Sequence, residues 1–489
     1  MQGLVNKLNN MKRQAILLAL SAMIFTSACE KSTVDDTPGA IGNPGATTSV
    51  EVSSDITANT TWTADKLYLI KNIINVRSGA TLTIEAGTLI KGDKATRATL
   101  VINRGGKINA SGTADKPIVF TSNQPVGARA AGDWGGIVIL GRAPNNQGAD
   151  TPIEGITATT DVAKTSHGGT DAADNSGTLK YIRIEFAGVP LSPDNEINGL
   201  TLGSVGSGTT LDYIQVYRSG DDGFEFFGGT VNAKHLLSIG TLDDDFDTDF
   251  GYSGKIQFAL AQRFITLADV SGSNGFESDN DGSGSVKTPS TSAVFSNITV
   301  IGPLSSATMG SFNANYQHAA QIRRNSSISI FNSIFTGYTE GIYIDDSKVA
   351  VAKSTSNNYL TGNLVFQNNL VFGTNSKNNE VKGENKADFE TALRANNIFT
   401  SASYGDVLIT DAYKYAPDII AGAKQGTPTF TLKAGSAAET GSAFTHAKAA
   451  DAFFEKVAYK GAFGSTDWSA GWANYNPQVM PYDAPGKVK

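Results

Sequence analysis

SGDDGFEFFGG (219–229), LDDDFDTDFGY (242–252) and SGSNGFESDNDG (271–282) are one phrase written three times. Aligned on the aromatic, Phe224, Phe246 and Phe276 coincide, and each is followed by an acid: Glu225, Asp247 and Glu277. The aromatics lie 22 and 30 residues apart, within the period range of solenoid repeats. Within each copy apolar and acidic residues alternate with period two, which predicts a strand with Phe224 turned inward and Glu225 outward. Strands stacked about 4.8 Å apart set these acids in an outward column, for which a hydrophobic core has no use.

Short strands run on either side of this stretch. From Thr61 onward, runs at 67–70, 73–76, 80–84, 100–102 and 116–120 are β-branched and bounded by Gly or Asn. In the second half VFSNITVIG (294–302) is echoed by IFNSIFTG (330–337), VFQNNLVFG (365–373) and, more loosely, LRANNIF (393–399). LKYIRIEFAG (179–188) and LDYIQV (211–216) fit the same mould. A strand, a polar turn that often holds Asn, a second strand and a Gly, repeated at rung-like intervals, resembles the right-handed parallel β-helix of the pectate-lyase-like superfamily. DWGGIVILG (133–141) and the acidic repeats are similar to β-helical lipoproteins of Bacteroidota, most of which lack an assigned activity. The resemblance spans about residues 60–480. It implies an all-β fold, a right-handed parallel β-helix (solenoid) over 59–435 with a C-terminal capping segment at 436–489, and leaves the chemistry open.

Bulk composition narrows the function classes. The 489 residues carry a net charge of −7, which argues against nucleic acid or an anionic membrane surface as partner. One cysteine excludes an internal disulfide framework. That cysteine, Cys29, follows Lys12-Arg13, an apolar run from Ala15 to Phe25, and Thr26-Ser27-Ala28, so residues 1–28 read as a secretory signal. Small residues ending at a lone cysteine resemble a bacterial lipoprotein box, although Thr26 stands where that pattern has Leu, Val or Ile. Cys29 is therefore the expected lipidation site, of an outer-membrane lipoprotein exposed at the cell surface. Met11 offers an alternative start that would exclude residues 1–10. Residues 29–58, poor in apolar side chains and rich in Pro, Gly, Ser and Thr, read as a disordered tether.

Two insertions and one change of texture stand out. Residues 142–178 and 304–320 interrupt the rungs, the second holding Met309, Phe312, Tyr316 and His318. Long excursions from a solenoid tend to build its binding face. After Gly435 an Ala-rich stretch leads to Phe453, Phe454, Phe463, Trp468 and Trp472, the composition of a hydrophobic cap over the last rung.

The chemistry-bearing residues are acidic: Asp221, Asp222 and Glu225; Asp243, Asp244, Asp245, Asp247 and Asp249; Glu277, Asp279 and Asp281. Like charges one rung apart repel by about 3 kcal/mol at an effective dielectric near 20, so the column must protonate, spread into solvent or hold cations. Hard oxygen ligands in such number suit Ca²⁺. The reading is a calcium-binding protein that recognises a glycan or an envelope protein. Two alternatives use the same residues. Glu225, Asp247 and Glu277 stand at separations a glycoside hydrolase uses, and a polysaccharide lyase would pair calcium with a base such as Arg323, Arg324, Arg263 or Arg218. A scaffold or adhesin would use the acids only to stiffen the solenoid. The four histidines, His167, His235, His318 and His446, are scattered and read as surface or packing residues.

Overall fold

The period-two runs fold as short parallel strands stacked rung on rung, in the structure described here, a computed structural model covering residues 49–157, 159–192, 195–309, 311–415 and 424–489. The signal at 1–28, Cys29 and most of the tether lie outside those residues. Among the described residues the strands form two long parallel sheets, one of seventeen strands and one of ten. Each middle rung is a long strand of the first sheet, such as Thr210–Tyr217, a turn, and a strand of the second, such as Phe224–Gly229. This is an all-β right-handed parallel β-helix.

The expected register holds. Phe224 lies opposite Phe246, and Phe246 opposite Phe276, with Glu225, Asp247 and Glu277 aligned beside them. The three rings are fully buried, Phe224 stacked on Phe246 at 5.8 Å and Phe276 tilted against Phe246 at 5.2 Å between centroids. Burying each contributes about 1.5–3 kcal/mol. The first strand begins earlier than composition suggests. Ser49–Val52 pairs with Leu67–Ile70, and Ile56 is buried against Val76, so the final ten residues assigned to the tether already belong to the solenoid. Three large apolar residues in ten, Val50, Val52 and Ile56, were too sparse a signal to read.

The long strands bend at one aligned position. Tyr181, Tyr213, His235, Phe258, Asn297, Asn332 and Asn368 occupy it in successive rungs, and all seven have positive φ, between 51° and 64°. Asn tolerates this conformation, whereas aromatic residues adopt it at a cost of order 1–3 kcal/mol. Stacking offsets that cost: Tyr181 on Tyr213 at 4.4 Å, Tyr213 on His235 at 4.1 Å, His235 on Phe258 at 5.3 Å.

Residues 436–489 do not cap the last rung. They run back along the bend, from the last rungs to the first. Asn368 donates to Gly441 O (2.7 Å), Asn332 to Ala443 O (3.1 Å) and Asn297 to Tyr459 O (2.8 Å). Gln215 exchanges hydrogen bonds with Asn474, and Trp472 sets its ring edge-on to Tyr181 and Tyr213. Further back, Tyr482 donates to the buried Glu185 at 2.8 Å, Arg129 donates to Pro477 O, and Val488 packs with Leu67 and Leu89. The bend offers side-chain amides with unused hydrogen-bonding capacity and an aromatic stack, so the apolar segment is drawn along the flank. The end of the core is closed instead by the helix Lys386–Ala395, which stands where a strand would and buries Phe389 and Leu393.

Both insertions are folded down. The hairpin of Thr151–Pro152 and Ser166–His167, with Ile153 and Ile156, packs on the outer face of the ten-stranded sheet against Val138, Leu140 and Phe227. In the second, Tyr316 is buried and Phe312 half-buried. No helix among the described residues is long and apolar enough to cross a membrane.

If residues 436–489 act as a strap rather than an end cap, Trp472→Ala should cost about 3–5 kcal/mol, because its ring is 1% exposed. Urea unfolding checks this. A loss under 1 kcal/mol would mean that the strap rests on the solenoid without supporting it.

Candidate metal centre

The turns before four consecutive strands of the ten-stranded sheet are each held by a side chain that reaches one rung forward. The side-chain oxygen of Asn198 accepts from the Asp222 N–H (3.1 Å), Asp222 Oδ1 from Asp244 N–H (2.8 Å), Asp244 Oδ1 from Asn274 N–H (2.5 Å), and Asn274 Oδ1 from His318 N–H (3.0 Å). These residues share a pattern, Asn or Asp two places before an inward apolar residue. INGL (197–200) carries it as plainly as DGF (222–224) and NGF (274–276), so Asn198 was findable from sequence. The intervening Gly is required by space. A Cβ on Gly223 would lie 2.4 Å from Ser238 Oγ, and one on Gly275 2.4 Å from Val300 Cγ1.

Asp245 takes the place of that glycine in its own rung and so turns inward, not outward as its run of acids suggests. It is fully buried, accepts from Ser238 and Thr241, and pairs with the equally buried Arg263 at 2.8 Å. Asp281 is set aside too, folded into its own turn by Ser283 and Ser285. Asp279 pairs with Arg323 (2.8 Å) and Arg324 (2.6 Å), and Asp249 accepts from the Phe250 N–H.

Seven acids remain, and the structure brings them together. Carboxylate oxygens lie within 4.8 Å of one another in three overlapping groups: Asp221, Asp222 and Asp243; Asp222, Glu225 and Asp247; Asp244, Asp247 and Glu277. Contrary to the expected solvent-facing column, Asp222, Glu225 and Asp244 are buried and the other four half-buried. Period two fixes the face on which an acid lies, not what covers that face. Glu154 of the first insertion and Glu196 of the strand Asn195–Glu196 add negative charge beside Asp221. Those two acids were missed because nothing local links them to the repeats. Asn198 donates to Glu225.

The electrostatics follow from this packing. Burial, then the neighbouring carboxylates, push Asp221, Asp222, Glu225 and Asp247 well above the usual carboxylate range. Asp243 is raised to about 9 by burial and Asp244, while Asp244 reaches only about 6 because Arg263 opposes its burial. Asp243 Oδ1 and Asp247 Oδ1 are buried without a hydrogen-bond partner. Arg323 brings positive charge to the edge of the cluster by bonding Glu277 and Asp279. Of the other bases considered, Arg263 is committed to Asp245, and Arg218 lies over the Tyr217 and Phe264 rings.

Three clefts, of about 580, 260 and 530 Å³, lie off the acid cluster. The last is lined by His318, which sits on the same sheet and pairs with Glu340 at 2.8 Å. The remaining histidines are packing residues: His167 is fully buried against Ser204, His235 belongs to the aromatic stack, and His446 lies against Phe331.

These shifts set a pH dependence for the protein held in chelator. The raised carboxyls bind more protons folded than unfolded, so stability falls with rising pH between about 4, the unfolded value, and about 9, the value at Asp243. Melting temperatures in EDTA should decline steadily across that window. A rise over the same interval would contradict the packing described.

No curated protein and no solved structure matches this chain. The family model described as "Pectate-lyase like beta helix domain" matches residues 54–408, from the first rungs to beyond the closing helix. With the two parallel sheets and the repeated turns in view, the chain belongs to the pectate-lyase-like β-helix family.

Proposed function

We propose that the protein is a lipid-anchored β-helix of the outer membrane that holds calcium in its acid cluster and recognises a glycan or an envelope protein. The observation that carries the reading is the packing of seven carboxylates with Asp243 Oδ1 and Asp247 Oδ1 buried and unbonded. Those donors fit the ion. Ca²⁺ takes six to eight oxygens in irregular geometry, and the three groups contain no His or Cys to favour a transition metal. Asp221, Asp222, Asp243, Glu225, Asp244, Asp247 and Glu277 would hold it. Bound there, the ion would supply the positive countercharge that lets the raised carboxyls ionise, and Arg323 would neutralise the Glu277 and Asp279 edge.

Arg323 also favours a second reading, a calcium-dependent polysaccharide lyase or hydrolase. Burial and the neighbouring Arg324 lower its pKa, the direction a base requires, and it stands beside the carboxylates that would bind the cation. Glu225, Asp247 and Glu277 would be the acids of a hydrolase in the same place.

Calcium should raise the melting temperature, by about 2.7 kcal/mol of stability at a hundredfold excess over its dissociation constant. Asp247→Asn should blunt that response. A melt indifferent to both EDTA and added calcium removes the cation from the reading and leaves the scaffold. Release of unsaturated ends from a polysaccharide panel, abolished in Arg323→Ala, would establish the lyase instead.

The anchor rests on the lone cysteine after a signal-like run. Cys29→Ser should move the protein from the membrane to the soluble fraction, and a variant that still sediments with membranes would exclude Cys29 as the attachment point.

A further inference from the structure

The second insertion, 304–320, has no part in the acid cluster, yet it walls the cleft of about 530 Å³ two rungs further along the same sheet. That volume lies within the ~300–1,000 Å³ typical of small-molecule sites. Phe312 of the insertion lines it together with Gln317, His318, Thr339, Glu340 and Lys382. The polar groups are held in place. His318 Nδ1 meets Glu340 Oε2 at 2.8 Å, and Lys382 Nζ reaches both Glu340 oxygens at 2.7 and 2.6 Å. The His318 ring lies 4.9 Å from the Tyr343 ring, and the Thr339 hydroxyl donates to the Gln317 carbonyl at 2.9 Å.

We propose that this cleft binds a neutral pyranose residue, and so is the glycan subsite of a protein whose acid cluster serves the cation. The inference rests on the glycan reading above and gives it a place. Its chemistry favours an uncharged ligand. Glu340 stands between Lys382 and His318, so the lysine's charge is matched within the cleft. A neutral sugar needs what the cleft offers: an acceptor at Glu340, donors at Lys382 and the Gln317 amide, and the imidazole of His318. The half-buried Phe312 ring supplies an apolar surface for the C–H face of the sugar.

Saturation-transfer NMR on the full chain tests this, with methyl glycosides of glucose, galactose and mannose and with oligogalacturonate, each with calcium and with EDTA. At least one neutral glycoside should receive transfer in both conditions. Its dissociation constant should rise at least tenfold in Phe312→Ala and in Glu340→Gln, with thermal melts confirming that both variants fold. Binding undiminished in both variants overturns the proposal and leaves the glycan reading standing elsewhere on the molecule. Binding of oligogalacturonate alone, or only with calcium, also overturns it and moves the glycan to the acid cluster. No transfer from any saccharide overturns the proposal and the glycan reading together.

Discussion

Parallel strands stacked about 4.8 Å apart give every side chain a same-position neighbour above and below, and this one constraint shapes the whole molecule. A favourable pair repeated up the stack becomes a column: Phe224 on Phe246 on Phe276 in the core, Asn332 on Asn368 at the bend, Asp222 to Asp244 to Asn274 at the turn. An unfavourable pair is multiplied in the same way. Carboxylates at that spacing repel by about 3 kcal/mol a pair in a partly screened setting, and here they are also covered. The rung geometry therefore imposes the need for countercharge at the acid cluster, and Arg323 and Arg324 answer it on one side only.

The acids consequently divide by what stabilises them. Asp222 and Asp244 each spend one oxygen on the next rung's backbone, so two members of the cluster would be present in a β-helix with no ligand at all. Asp245 is part of a buried ion pair that replaces a glycine corner. Asp243 and Asp247 have no such structural occupation. A carboxylate retained in a covered site without a backbone or cationic partner is where the argument for a ligand is strongest.

How much could be read from the chain depended on the range of the signal. The Phe and Glu registers were legible because the repeats write them out in one stretch, and the Asn turns at 332 and 368 because Asn advertises a left-handed bend. Tyr181, Tyr213, His235 and Phe258 occupy the same bend unannounced, since aromatic residues adopt it only where a neighbour stacks on them. The burial of Glu225 was not legible, because Asn198 and Glu154, which stand beside it, are remote in sequence. Nor was the path of residues 436–489. Their composition marks a different kind of segment, and only the ladder on the solenoid decides where it lies. His318 became notable only when the fold set Glu340 beside it.

That path changes what kind of object the solenoid is. Rung proteins ordinarily unravel one unit at a time, because each repeat senses only its neighbours. Here one continuous run of chain touches the Asn368 rung, the Asn297 rung, the Gln215 rung and the rungs of Leu67 and Leu89. Fraying at either extremity must peel that run from the flank, which loosens rungs far from the site of damage. The strap thus couples distant repeats into one cooperative unit. It also delays completion of the fold: during synthesis the rungs can stack in order, but they are fastened together only after residues 436–489 have emerged.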